Sequence, residues 1–254
     1  MEKPKAISFS LLPSFQNKEE YFEKIIDEKY SFTKILNLLL LMILFSFLYG
    51  VAVGSYHSLA QAMAAGAKIP VLFLLALMIC LPALFIIQYT LGSKLKLFQM
   101  VSIIISGFVL TTSIMVSFIP IVIFFLLTGG NYYFLQLLHI AIVILSGFFG
   151  MRMIIEALKY SCEKKGVYPK IGVTVFKFWF VILTLVGIQL AWNLRPFTGD
   201  QGKPFALFRE YEGNFYAAII YSINQLLEGN TEPGTKDKIP KENPKQDSLF
   251  LFNR

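Results

Sequence analysis

Residues 97–151 read LFQMVSIIISGFVLTTSIMVSFIPIVIFFLLTGGNYYFLQLLHIAIVILSGFFGM. No Asp, Glu, Lys or Arg interrupts them. A helix of a water-soluble protein cannot stay uncharged that long, because its outer face must meet water. Two neighbouring stretches behave alike: residues 35–67 and 69–93 are also free of charge, with Lys68 between them. About 20 apolar residues carry a helix across a bilayer's hydrocarbon core. The runs are continuously apolar and do not alternate, so they predict helices and not barrel strands.

Composition agrees with a membrane protein. Of 254 residues, 56% are hydrophobic and 15% charged, with a mean hydropathy of +0.61. Soluble domains are roughly 45–50% apolar and about 25% charged. The 25 Phe and 12 Tyr suit lipid contact and interfacial belts. The formal charge of +7 comes from lysines concentrated between apolar runs, as the positive-inside bias predicts. It does not argue for nucleic acid. Met1 to Lys34 holds no short apolar region followed by a small-residue cleavage site, so the first apolar run is expected to stay as an anchor. Cys80 lies in an apolar run and Cys162 in a charged segment. Cysteines at such different depths are not expected to pair, and neither has metal-type spacing.

The pattern predicts an all-α polytopic transmembrane helix bundle with about five spans. The first runs from about Ile35 to Val53. The second covers about Ile69 to Thr90, with Pro70 at its start and Pro82 inside it, where it should kink the helix. The third extends from Phe98 to Leu127, longer than one crossing needs. It is tilted, extends past the lipid, or breaks at Pro120. Gly129-Gly130-Asn131 reads as a tight turn. The fourth covers Phe134 to Ile155, its helix continuing to Lys165 with Gly166 as a C-cap. The fifth covers Phe176 to Leu194, bounded by Lys177 at one end and by Trp192 and Arg195 at the other.

The segment before the first span has six lysines, and lysines or arginines recur after the second and fourth spans. On the opposite side, the loop after the first span carries only Lys68 and the turn after the third carries none. The N-terminus and the 156–170 loop are therefore expected in the cytoplasm, in a bacterial inner membrane, with the C-terminus extracytoplasmic. Two flanking segments look amphipathic and suited to lie along a bilayer surface: 16–34, with Phe22, Ile25, Ile26 and Tyr30 on one stripe, and 214–228. If 214–228 crossed the membrane, the count would be six. The chain divides into an amphipathic N-terminal segment (1–34), a five-helix domain (35–194), an external cap with an amphipathic helix (195–228) and a flexible tail (229–254).

Ionisable groups inside membrane helices are functional candidates by default. The spans hold His139 but no central Asp, Glu or Arg. Gln136 shares a face with His139, and Gln189 shares one with Asn193 on the fifth span. All four sit near the external ends. If the fourth and fifth spans are neighbours, these groups form a small outward-facing polar pocket or interhelical hydrogen bonds that fix packing. Arg152 and Glu156, four residues apart, read as an interfacial ion pair. Arg195 and Pro196 end the fifth span abruptly. With Asp200 and Arg209 they mark a structured cap, Arg195 seeking a lipid phosphate, Asp200 or helix C-terminal carbonyls. His57, with Ser55, Ser58 and Gln61, lacks the nearby acid that a hydrolase needs. No HExxH, GxSxG or Gly-rich phosphate loop is present, and a metal or haem centre has no ligand set.

Leu190-Ala191-Trp192-Asn193-Leu194-Arg195-Pro196-Phe197, then Phe205-Ala206-Leu207-Phe208-Arg209 and Gly213-Asn214-Phe215-Tyr216, resemble poorly characterised bacterial multi-pass proteins, some loosely grouped as Yip1-like. The resemblance covers about 35–228. It implies five helices with a cytoplasmic N-terminus and an external C-terminus, and carries no known chemistry or site residues. The leading expectation is a non-enzymatic membrane scaffold or accessory subunit, without a cofactor, whose partners are the bilayer and another membrane protein or itself. The alternative is a transporter or channel for a small or lipidic solute working through His139 and Gln189. The absence of an internal repeat weakens that alternative. A lipid-modifying enzyme would need catalytic acids that the spans lack.

Overall fold

The structure is a computed structural model that describes residues 18–26, 31–90, 96–129, 131–164, 170–199, 205, 207–208 and 219–224. Among them every regular element is an α-helix: α1 (Lys18–Ile26), α2 (Ser31–Gly54), α3 (Leu59–Thr90), α4 (Leu97–Ser117), α5 (Ile119–Leu127), α6 (Tyr132–Lys164) and α7 (Lys170–Leu194). Five helical spans are long and apolar enough to cross a membrane: α2, α3, α4 with α5, α6, and the Lys177–Leu194 part of α7. The protein is a multi-pass helical bundle.

The second span begins ten residues earlier than its hydropathy suggests. Ser58 caps α3, its Oγ accepting the Gln61 backbone N–H at 3.2 Å. Alanine-rich sequence then carries the helix through Lys68, so this lysine stands inside α3 and not in a loop. Pro70 is an interior proline, not a helix start. The residue four before it is Gly66, whose missing side chain limits crowding around the lost hydrogen bond. In the third span the helix is interrupted at Phe118, which places Pro120 in the first turn of α5, where a missing N–H costs little. Gly129 takes φ 79°, and Asn131 Oδ1 accepts the Tyr133 N–H at 3.1 Å to start α6. The Gly166 cap and the 229–254 tail lie outside the described residues.

The chain order fixes two ends. One carries α1, the start of α4 and the end of α6, where lysines are frequent. The other carries the α2–α3 and α5–α6 turns. Between them α2 packs on α3 and α4, α4 on α6, and α7 chiefly on α3. Glycines set the close approaches. A Cβ on Gly50 would lie 2.5 Å from the Ala65 carbonyl oxygen, and one on Gly150 would lie 2.0 Å from Thr111 Oγ1 and 2.7 Å from the Gly107 oxygen. Without a hydrophobic drive between helices in lipid, such backbone proximity supplies much of the attraction.

Two apolar cores result. The one at the lysine-rich end joins α3, α4, α6 and α7 around Leu84, Ile103, Ile154 and Trp179. The other joins α2 to α3, α4, α5 and α6 around Met42, Tyr49, Val109 and Val122. The α1 helix packs on the bundle. It turns Tyr21, Phe22 and Ile25 into the first core, against α4 and α6, because the bundle offers that stripe a packed apolar surface. Glu20 and Lys24 pair at 2.8 Å on its outer side. Arg152 and Glu156 pair at 3.1 Å as their spacing predicts.

Candidate functional site

Lys68 is the most unusual side chain of the bundle, buried with no carboxylate among the described residues paired to its ammonium. It donates to the carbonyl oxygen of Pro196 at 3.2 Å and to that of Leu207, and it lies 5.0 Å from the centre of the Phe208 ring. A buried cation is costly unless desolvation is offset. Here carbonyl dipoles just beyond the C-terminal end of α7 and an aromatic face provide the offset.

Gln61 stands two turns before Lys68, hence on the same face of α3. Its amide nitrogen donates to the Pro196 oxygen at 2.9 Å and to the Phe197 oxygen at 3.2 Å. Ser58-Leu59-Ala60-Gln61 has capping-box spacing, but the Gln61 side chain serves the cap instead of the helix end. Ser58 is an N-cap, which accounts for the Ser–His pair. His57 Nδ1 lies 3.0 Å from its Oγ. Gly199 closes over this turn at φ 68°, where a Cβ would come within 2.8 Å of His57 Cβ. Its position requires glycine on both counts.

The same cap segment reaches α6. The Phe197 ring lies 6.0 Å from the His139 ring, and His139 stacks on Tyr49 of α2 with centroids 5.6 Å apart. The Tyr49 hydroxyl and His139 Nδ1 are 2.9 Å apart. Beside them Val53, Val122, Leu126, Leu135, Leu138, His139 and the buried Thr198 line a cavity of about 10 Å³. That is room for about one water. Four elements thus meet through α3, the Pro196–Phe197 turn, α6 and α2.

No family model, curated protein or solved structure matches the chain. The site is therefore read from its own geometry.

Of the four polar groups expected near the external ends of the fourth and fifth spans, His139 contacts Tyr49 and Phe197, Gln136 is half-buried on α6, and Gln189 and Asn193 lie on the exposed side of α7. Trp179 donates its indole N–H to the Cys80 carbonyl oxygen at 2.9 Å, two residues before Pro82, with the Trp179–Leu183 side of α7 facing the bundle. Arg195 stacks its guanidinium 3.6 Å over the Trp192 ring, and its peptide bond to Pro196 is cis. Lys68 takes the Pro196 carbonyl just beyond α7. Asp200 and Arg209 lie outside the described residues. Tyr221, in the helical turn 219–224, packs 5.8 Å from Tyr133 at the start of α6, beside the cap end of the bundle.

Sequence reasoning missed Lys68, Gln61, Tyr49 and Phe197. Lys68 did carry a signal, as a lone charge between two long uncharged runs. Tyr49 carried none, one aromatic among many. Among the described residues no group of three or more His, Cys, Asp or Glu is placed to hold a metal ion.

Proposed function

We propose that the chain is a non-enzymatic scaffold or accessory subunit that binds another membrane protein in a bacterial inner membrane. Its N-terminus is cytoplasmic and its C-terminus external. The observation that carries this reading is the cap held by Lys68 and Gln61. Lys68 and Gln61 at that end are spent on the chain's own backbone, and His139 is half-buried against Tyr49 and Phe197. A fixed external shape is what a docking platform needs, since binding then orders little. Phe205, Leu207 and Phe208 of the cap remain exposed and offer apolar contact area. The gathering of α1, Lys96 and the end of α6 at one end supports the orientation.

The transporter reading has less support. Its two residues do not meet, and the cavity beside His139 has room for about one water. Purification in mild detergent followed by mass spectrometry tests the proposal. A second membrane protein should copurify at a constant ratio. A chain that runs free of other proteins in every mild detergent overturns it.

A further inference from the structure

The outward side of α7 combines an apolar seam with one unsatisfied polar group. Phe178, Ile182 and Leu185 are 68%, 42% and 54% exposed. With Gln189 they recur at spacings of four, three and four, which places them on one side of the helix, turned away from the buried Leu183. Gln189 is exposed and makes no hydrogen bond among the described residues. It lies five residues inside the helix end at Leu194, or about 7–8 Å at 1.5 Å per residue, within the apolar span Lys177–Leu194. A primary amide turned toward hydrocarbon is unfavourable unless it finds a partner, and polar side chains at helix surfaces in membranes commonly bind across helices. The Trp179 indole, bound to the Cys80 carbonyl oxygen, holds α7 at the rotation that points Gln189 outward.

We propose that two copies of this chain pair through α7, with the Gln189 amides hydrogen-bonded to each other. An amide carries both donors and an acceptor, so it is complementary to itself. Copies inserted with one orientation present parallel α7 helices. A two-fold axis along the membrane normal then brings equal depths together. Gln189 meets Gln189, and the Ile182 and Leu185 positions continue the three-four seam of two parallel helices. A helix from a different protein would need a polar side chain at that one depth, whereas a second copy has it by construction. Pairing through α7 requires no other kind of protein, so it stands or fails apart from the accessory-subunit reading.

The test uses the full chain with Cys80→Ala and Cys162→Ser in lipid vesicles. Ile182→Cys or Leu185→Cys is then introduced, with Ile144→Cys on the exposed side of α6 as control. Mild oxidation should give disulfide-linked dimers at 182 and 185 but not at 144. Energy transfer between separately labelled copies, followed over a range of protein-to-lipid ratios, should show pairing. Gln189→Leu should weaken it about 3- to 30-fold, the range of single interhelical hydrogen bonds. Gln189→Asn, which keeps an amide, should retain most of it. A wild-type chain that stays monomeric at every ratio overturns the proposal. So does equal cross-linking at 144 and 185, or undiminished pairing in Gln189→Leu. Cross-linking of 185 in native membranes to a different polypeptide alone would also overturn it, while supporting the accessory-subunit reading.

Discussion

The ammonium of Lys68 lies 3.2 Å from the carbonyl oxygen of Pro196, across 128 positions of chain, and no carboxylate among the described residues pairs with it. This contact ties the second span to the segment that follows the last one. Replacing Lys68 by Met keeps the length and removes the charge. It leaves the Pro196 and Leu207 oxygens without this donor. We expect a loss of about 1.5–3 kcal/mol, the usual range for hydrogen bonds to charged groups. Unfolding in detergent should show it, together with faster amide exchange at 197–199. A variant as stable and as protected as the parent would mean that the cap does not depend on Lys68.

His139 should couple energetically to Tyr49 and not to Gln189. A double-mutant cycle with Tyr49→Phe and His139→Leu is expected to return about 0.6–2 kcal/mol, the scale of interhelical hydrogen bonds in membranes. The same cycle with Gln189→Leu should return a value near zero. A large His139–Gln189 term would contradict the rotation of α7 described above.

Two glycines of α6 should respond oppositely to one added methyl group. In Gly150→Ala the new Cβ meets Thr111 and the Gly107 backbone, so α4 and α6 must separate. The cost should be about 1–3 kcal/mol, as for other overpacked sites. Gly147 faces open space, with nothing within 4 Å of an added Cβ. Gly147→Ala should be neutral or stabilising by up to about 1 kcal/mol through helix propensity. Thermal unfolding of both variants in one detergent checks the contrast.

Trp179→Phe keeps an aromatic ring and deletes the indole N–H that the Cys80 oxygen accepts. About 0.5–1.5 kcal/mol of stability should be lost. The rotation of α7 should loosen as well. A cysteine at Leu183, buried in the parent, should then react faster with a lipid-soluble maleimide. Unchanged labelling would show that packing alone sets the rotation.

Much of the fold was legible because the bilayer imposes a simple rule on sequence. Uncharged runs such as 97–151 have one stable solution in hydrocarbon, a helix, so spans and their order could be read directly. The ion pair Arg152–Glu156 and the turn at Gly129–Asn131 were legible for the same reason, being local in chain. The start of α3 was not. Lys68 and Pro70 are both signals that usually end a span, and here a Ser58 cap and an alanine-rich turn override them. The apolar stripe of α1 was visible, but whether it met lipid or protein depended on a surface built by α4 and α6.

By itself, the sequence determined that the chain is an α-helical multi-pass protein with about five apolar spans, because burying backbone in lipid leaves little else. It also named His139 and Gln189 as unusual for their depth. Only the tertiary structure decided which of them meet. Hydropathy measures how apolar a residue is and not which way its helix is turned. Trp179, bonded to the Cys80 oxygen, faces the bundle and Gln189 faces outward, while Tyr49 and Phe197 flank His139. Lys68 acquires its role from Pro196 and Leu207, partners more than a hundred residues away, which no local pattern encodes.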